Sequence, residues 1–402
     1  MAITARDEVD SGRAWIIVGV AAVSMFTVFG VAYSFGAFFE SMAEDFDTGS
    51  GATALAFSIT IALGFFFSRW TGLWGDRYGP RPMLIAAAAS LAAGLLATTV
   101  VPNIYVGYVT YGVGVGAALG FGYVPIVSAV ATWFDKKRST ATGIAVAGIG
   151  LGTMVVSPMS AQLIKATSWR TTYVIYAIVG PALLLAAASV AKRGPAAADP
   201  GKLPRFVELF ANRDFRLLYA AIVFVATGMF VPFVFVASYA EGRGNSEVWA
   251  AVLISLIGGA SVIGRLGLGA LADRVGAMRL FRLSFTVMAL SQFIWLTAGD
   301  RYWQLIIYTV VLGVGYGGFI ALGPVVTAER FGLVGLGGVL GTLYTAAGVG
   351  TLVGPPIAGV LRDEFGYRTA IAFAALMTAV AVAILMAFRP STAPQGVLGA
   401  NS

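Results

Sequence analysis

One arginine sits where a charge is expensive. Arg265 falls inside the apolar run Ile257-Gly-Gly-Ala-Ser261-Val-Ile-Gly264-Arg265-Leu-Gly267, eight residues before Asp273. If the run is helical, its rise of 1.5 Å per residue puts the guanidinium about 12 Å from that polar turn. A charge this deep in hydrocarbon costs ~2.5–3.5 kcal/mol even on the most lenient scale, so it is expected to face a wet cavity and to have a partner. No aspartate or glutamate lies deep in any apolar segment. The missing partner then reads as an anionic ligand, and the planar guanidinium fork matches a carboxylate with two parallel bonds. The competing assignment is an arginine that snorkels to the interface or bonds to backbone carbonyls. Arg69, seven residues before Asp76, is the rival cation and is expected to snorkel. Four polar-tipped aromatics, Tyr33, Tyr123, Tyr316 and Tyr344, lie in other apolar segments. They either complete the anion site or serve packing and interface anchoring.

Other chemistries drop out. The chain has neither histidine nor cysteine, which removes disulfides, thiol catalysis, Cys/His zinc sites and imidazole proton relays. With no paired acid in the apolar segments either, an enzyme is not expected. No catalytic residue, metal site or cofactor is assigned. No Gly-x-x-x-x-Gly-Lys-[Ser/Thr] occurs, so ATP is not the energy source.

The elements that position these residues follow from composition. Of 402 residues 58% are hydrophobic and 11% charged, and the mean hydropathy is +0.85. A soluble domain carries about 25% charge, so the solvent for most of this chain is lipid. Twelve apolar segments are long enough to span, at about 14–38, 52–75, 83–101, 105–133, 140–165, 170–192, 216–240, 248–271, 279–298, 302–328, 336–361 and 369–388. The first lacks a small-residue cleavage site and is read as a span, not a leader. The polar stretch 193–215, with Gly194, Pro195, Pro200, Gly201 and Pro204, reads as a cytoplasmic linker between two six-helix bundles, 1–192 and 216–402. With both termini inside, 19 of the 26 lysines and arginines fall on the inner side, 6 on the outer, and Arg265 is left in a span. That bias puts both termini in the cytoplasm. It also explains the net charge of +7 through inner loops, without nucleic acid.

The two halves repeat each other. The turn after the second span reads Gly72-Leu-Trp-Gly-Asp76-Arg77-Tyr-Gly79-Pro-Arg81. The turn after the eighth reads Gly269-Ala-Leu-Ala-Asp273-Arg274-Val-Gly276-Ala-Met-Arg279. Both are G-x-x-x-D-R-x-G. The fourth and tenth spans share Gly114-Val-Gly116 through Pro125 and Gly313-Val-Gly315 through Pro324, at equal spacing. Six-helix parallel repeats mark one transporter architecture. The glycines permit close helix ends, and the charges can latch the inner side by pairing with helix termini. Gly72, Asp76, Arg77, Arg81, Gly269, Asp273 and Arg274 form this candidate latch. Gly148-Ile-Gly150-Leu-Gly152 and Gly348-Val-Gly350 suit backbones that pack closely and slide. Pro125, Pro158, Pro232 and Pro324 are candidate kinks.

The doubled G-x-x-x-D-R-x-G resembles the signature loop of the major facilitator superfamily. Asp10-Ser-Gly12-Arg-Ala-Trp15 with Ser34-Phe-Gly36-Ala-Phe38-Phe39 resembles the first-helix signature of monocarboxylate transporters. Trp133-Phe134-Asp-Lys136-Lys137-Arg138 through Gly143, Ala147 and Gly148 resembles their fifth-helix signature. Tyr344-Thr345-Ala346 followed by Gly354-Pro355-Pro356 is similar to oxalate–formate exchangers. The resemblance covers essentially the whole chain. It implies an all-α membrane protein with the twelve-helix major facilitator fold, a multi-pass protein of the cytoplasmic (inner) membrane. It further implies secondary transport of a small monocarboxylate such as lactate or pyruvate by alternating access, with a proton as candidate co-substrate and Arg265 taken to bind the carboxylate. The chain departs from its relatives at three places. Ser261 stands where monocarboxylate transporters commonly place an aspartate, Tyr33 where vertebrate members have a lysine, and Ala347 where oxalate–formate exchangers have a second cation. One deep cation favours a monoanion over oxalate. Organic-anion exchange, drug efflux and a membrane sensor remain as alternatives. Glu40 and Glu329 are the carboxylates at which a missed proton site would be sought.

Overall fold

Lipid offers no hydrogen-bond partners, so a spanning chain must satisfy its backbone internally, and helices do so segment by segment. The computed structural model describes residues 9–47, 50–195 and 206–388, and the described residues form sixteen helices. These are α1 (Gly12–Tyr33), α2 (Phe35–Asp45), α3 (Ser50–Tyr78), α4 (Pro80–Thr99), α5 (Ile104–Gly122), α6 (Val124–Ala131), α7 (Arg138–Ala166) and α8 (Trp169–Val190). They continue with α9 (Phe206–Ala211), α10 (Arg213–Met229), α11 (Val231–Glu241), α12 (Glu247–Val275), α13 (Ala277–Ala298), α14 (Tyr302–Phe331), α15 (Leu336–Phe365) and α16 (Tyr367–Met386). Twelve spans long and apolar enough to cross a membrane result. α5 with α6 makes the fourth span and α10 with α11 the seventh, while α2 continues the first. Large apolar side chains such as Ile178, Leu290, Phe293 and Leu376 are more than half exposed, as suits surfaces facing acyl chains.

Prolines act selectively. A proline removes one helical donor, and its ring crowds the carbonyl four residues back. At Pro125 and Pro232 the helix is interrupted, at Tyr123 and Phe230. Pro158 and Pro324, read as equivalent kink sites, lie inside unbroken helices. The stretch 193–215 is not all linker either. α9 lies within it, and α10 begins at Arg213, where the Asn212 side chain accepts from the Asp214 and Phe215 amides at 2.8 and 3.2 Å. Residues 196–205 of that stretch lie outside the described residues.

In the first half α1 packs on α7 and α8, α3 on α5, and α4 on α5 and α8. In the second, α10 packs on α15 and α16, α12 on α14, and α13 on α14 and α16. The halves meet along two seams, α3 against α15 and α7 against α12. Both ends of the described chain lie on one face, here termed the terminal face. Asp10 donates its amide to the Trp133 carbonyl at 3.0 Å, and Arg282 bonds the Phe388 carbonyl. The first- and fifth-helix signatures meet at this face. The Asp10 carboxylate accepts from the Lys136 and Lys137 amides at 3.2 and 3.3 Å, and Trp15 packs edge-on to Phe134 at 5.0 Å.

Candidate substrate site and interdomain latches

Arg265 is wholly buried, on α12 at the α7 seam. Its Nη1 donates to Ser261 Oγ, one turn earlier, at 3.0 Å. Its Nε and Nη2, which form the other edge of the guanidinium, are buried with no hydrogen-bond partner. That edge is the two-donor fork a carboxylate fits. The Tyr316 ring faces the guanidinium carbon at 5.4 Å, and Tyr33 and Tyr123 are also near enough to feel its charge. Snorkelling is ruled out by this burial.

Three of the four tyrosines lie beside this arginine, from α1, the α5/α6 break and α14, and Tyr344 of α15 joins them through Tyr123. Tyr123 and Tyr344 stack across the two halves, with centroids 5.4 Å apart, planes 12° apart and hydroxyls 3.2 Å apart. Tyr123 can turn to this partner because the break before Pro125 frees it from helical geometry. Phe29 sits edge-on to Tyr33 at 5.4 Å and to Tyr123 at 5.2 Å. Phe233 contacts Tyr316 at 5.6 Å, and Phe65 contacts Tyr344 at 6.2 Å. These phenylalanines were not singled out by sequence, since a phenylalanine in a span is most often packing. Along the sequence Gly150 is only one of several glycines suited to close helix packing. A Cβ there would lie 2.7 Å from Arg265 Nη1 and 2.5 Å from Val262, so α7 leaves space for the guanidinium. The alternating glycines divide the work: Gly148 and Gly152 press on the α1 backbone at Ala22 and Phe26, whereas Gly143 and Gly150 press on α12.

Toward the terminal face the two signature aspartates each cap a helix of the opposite half. Asp76, at the end of α3, accepts from the Gly337 and Gly338 amides at the start of α15, at 2.9 and 2.8 Å. Asp273, at the end of α12, accepts from the Ser139 and Thr140 amides at the start of α7, at 3.1 and 3.0 Å, and from the Thr140 hydroxyl at 2.5 Å. A carboxylate satisfies the free amides of a first turn and meets the positive end of the helix dipole. Gly72 is required by the approach, because a Cβ there would strike the Gly337 carbonyl. Gly269 is less constrained, since a Cβ there would come within 3.1 Å of the Ser139 carbonyl oxygen and 3.3 Å of Gly143. The arginines of the motif behave differently from expectation. Arg77, Arg81 and Arg274 are exposed, and none makes an ion pair or a bond to the opposite half among the described residues. The aspartates make the contact between the halves because their short side chains reach the facing amides directly. Arg69 also departs from its expected role. Its Nη1 donates to Thr342 Oγ1 on α15 at 2.5 Å, so it ties the halves together.

Glu329 lies in the last turn of α14, away from this centre along the helix. The Glu40 side chain lies outside the described residues.

The described residues thus form twelve candidate spans, with a wholly buried arginine on α12 and paired carboxylate caps between the halves. The family model of the Major Facilitator Superfamily matches residues 20–300 and 268–401, and the chain belongs to that superfamily. It is 27% identical to monocarboxylate transporter 3 of Rattus norvegicus over 94% of this chain and 80% of the relative. It is 28% identical to monocarboxylate transporter 13 of Bos taurus, over 90% and 85%, and 28% identical to the aspyridones efflux protein apdF of Emericella nidulans, over 88% and 73%. The fold matches the proton:xylose symporter XylE with a TM-score of 0.76 at 14% identity, over 96% of this chain and 97% of that one.

Proposed function

We propose that this transporter carries a small monocarboxylate, with Arg265 binding the carboxylate and Tyr33, Tyr123, Tyr316, Tyr344 and Ser261 around it. One observation carries the reading: the free Nε/Nη2 edge of a fully buried arginine. Leaving such donors unpaired is costly, and a single carboxylate satisfies both. The monocarboxylate-transporter relatives support the same substrate class. The terminal face is the cytoplasmic face of the inner membrane, by the charge bias, and the halves 1–192 and 216–402 are the moving bodies. The conformation capped by Asp76 and Asp273 is then one closed to the cytoplasm, with the site buried.

The test is uptake of labelled monocarboxylate into liposomes holding the purified protein, with ligand binding followed by thermal stabilisation. Arg265→Lys keeps the charge but loses the fork, a change of about 2 kcal/mol or roughly 30-fold in affinity. Arg265→Ala abolishes binding while the protein still inserts. Full transport by Arg265→Ala would remove the assignment. A second reading, efflux of a larger organic metabolite, has the apdF relative in its favour. It predicts stabilisation by bulky ligands that Arg265→Ala leaves intact.

A further inference from the structure

The two signature turns differ in one backbone bond, and the difference points to the linker. In a continuing helix the Asp76 carbonyl would accept from the amide of residue 80. Residue 80 is proline, which has no amide proton to give. The corresponding residue of the second turn is Ala277, which has one. The Asp76 carbonyl, in the last turn of α3, takes its bond from elsewhere: the Arg193 guanidinium donates to it. A cation at this place also meets the negative end of the α3 dipole, and its charge is near enough to act on the Asp76 carboxylate.

Arg193 opens the stretch between the halves, and its neighbours are seated on the first half. The Lys192 carbonyl accepts from Trp133 Nε1 at 3.3 Å. Gly194 is buried on Thr132, where a Cβ would come 2.8 Å from the Thr132 carbonyl carbon. Residues 192–194 thus lie as a strap across the ends of α3 and α6. Behind the strap is a cavity of about 30 Å³, room for about two waters. Its walls include Asp76, Ser128, Arg193 and Gly194 of the first half, and Leu333 and Gly335 of the turn before α15. The strap therefore borders the place where Asp76 meets the opposite half. We infer that it belongs to the inner latch, with Arg193 as a positioning residue that fixes the end of α3 so that the Asp76 carboxylate meets the α15 amides. The inference rests on reading the aspartate caps as the contact that closes the cytoplasmic side.

The test uses the full-length protein in lipid nanodiscs, spin-labelled at Lys136→Cys and Arg279→Cys, one on each half at the terminal face. Distance distributions are compared for Asp76→Asn, Asp273→Asn, Arg193→Gln, Arg193→Lys and Gly194→Ala. Loss of a charged but exposed donor in Arg193→Gln should lower the closed-to-open ratio about fivefold. Gly194→Ala, which pushes the strap off Thr132, should act in the same direction. Arg193→Lys, which can still donate to a single carbonyl, should keep most of the closed population. The deciding readout is coupling. Arg193→Gln should lose more than half of its effect in the Asp76→Asn background and keep all of it in the Asp273→Asn background, whereas a merely structural strap would act equally in both. If Asp76→Asn opens the face but Arg193→Gln and Gly194→Ala leave it closed, the inference is overturned and the cap reading stands. Full effect of Arg193→Gln in both backgrounds has the same consequence. If Asp76→Asn itself leaves the distribution unchanged, the cap reading fails and the inference fails with it.

Discussion

Neutralising the two signature aspartates should open the terminal face. Asp76→Asn retains one acceptor for the α15 amides but loses the charge and turns an NH2 toward a donor. Asp76 is half-buried, and its bonds of 2.9 and 2.8 Å are charge-assisted. Such bonds contribute about 1.5–3 kcal/mol each, and helix-dipole contact is of similar size where partly buried. With one amide still served, the net loss is about 2 kcal/mol, or roughly 30-fold in the closed-to-open ratio. Asp273 is exposed, so solvent screening reduces its share to about 1 kcal/mol, roughly fivefold. The two sit on different seams and should add, giving a shift on the order of 100-fold in the double variant. The chain has no cysteine, so Lys136→Cys and Arg279→Cys supply a clean spin-label pair across the terminal face. Distance distributions should move toward the open population in the order Asp273→Asn, Asp76→Asn, double variant. Ligand affinity of the closed state should change little, because the caps lie away from the arginine. An unchanged distribution in a well-folded double variant, or the reverse order of the two singles, would refute the reasoning.

Gly150→Ala places a methyl 2.7 Å from Arg265 Nη1 and should weaken substrate binding about tenfold with normal insertion, read by calorimetry. Ser261→Asp sets a carboxylate beside Arg265, where it competes with the substrate. Anion binding should weaken near neutral pH and recover as pH falls and the new acid is protonated, a dependence absent from the parent protein. The described spans hold no acid beside Arg265, so uptake into liposomes should respond to internal counter-substrate more than to an imposed pH gradient. Steep gradient-driven accumulation that Glu329→Gln abolishes would locate a proton site that this reading lacks.

Sequence alone determined the number of spans, the doubled turn and the lone arginine. Each is a local property: lipid permits only self-satisfied helices, so apolar run length counts them, and a charge inside such a run is visible without coordinates. The spacing of Gly72 to Asp76 and Gly269 to Asp273 likewise marked a helix end made for close approach. Tertiary structure decided what those groups meet. Asp76 caps a helix whose first residues lie 261 positions away, and Asp273 caps α7 from the other half. Tyr123 and Tyr344 stack across 221 positions, and Arg69 finds Thr342 at 273. Neither hydropathy nor helical periodicity encodes such pairings, because they depend on how α3 lies against α15 and α7 against α12. The same holds for Phe65, unremarkable in an apolar helix until the α3–α15 seam sets it against Tyr344. Gly150 is the clearest case. Its missing side chain has no meaning along α7, and acquires one only where the guanidinium of Arg265 occupies the space.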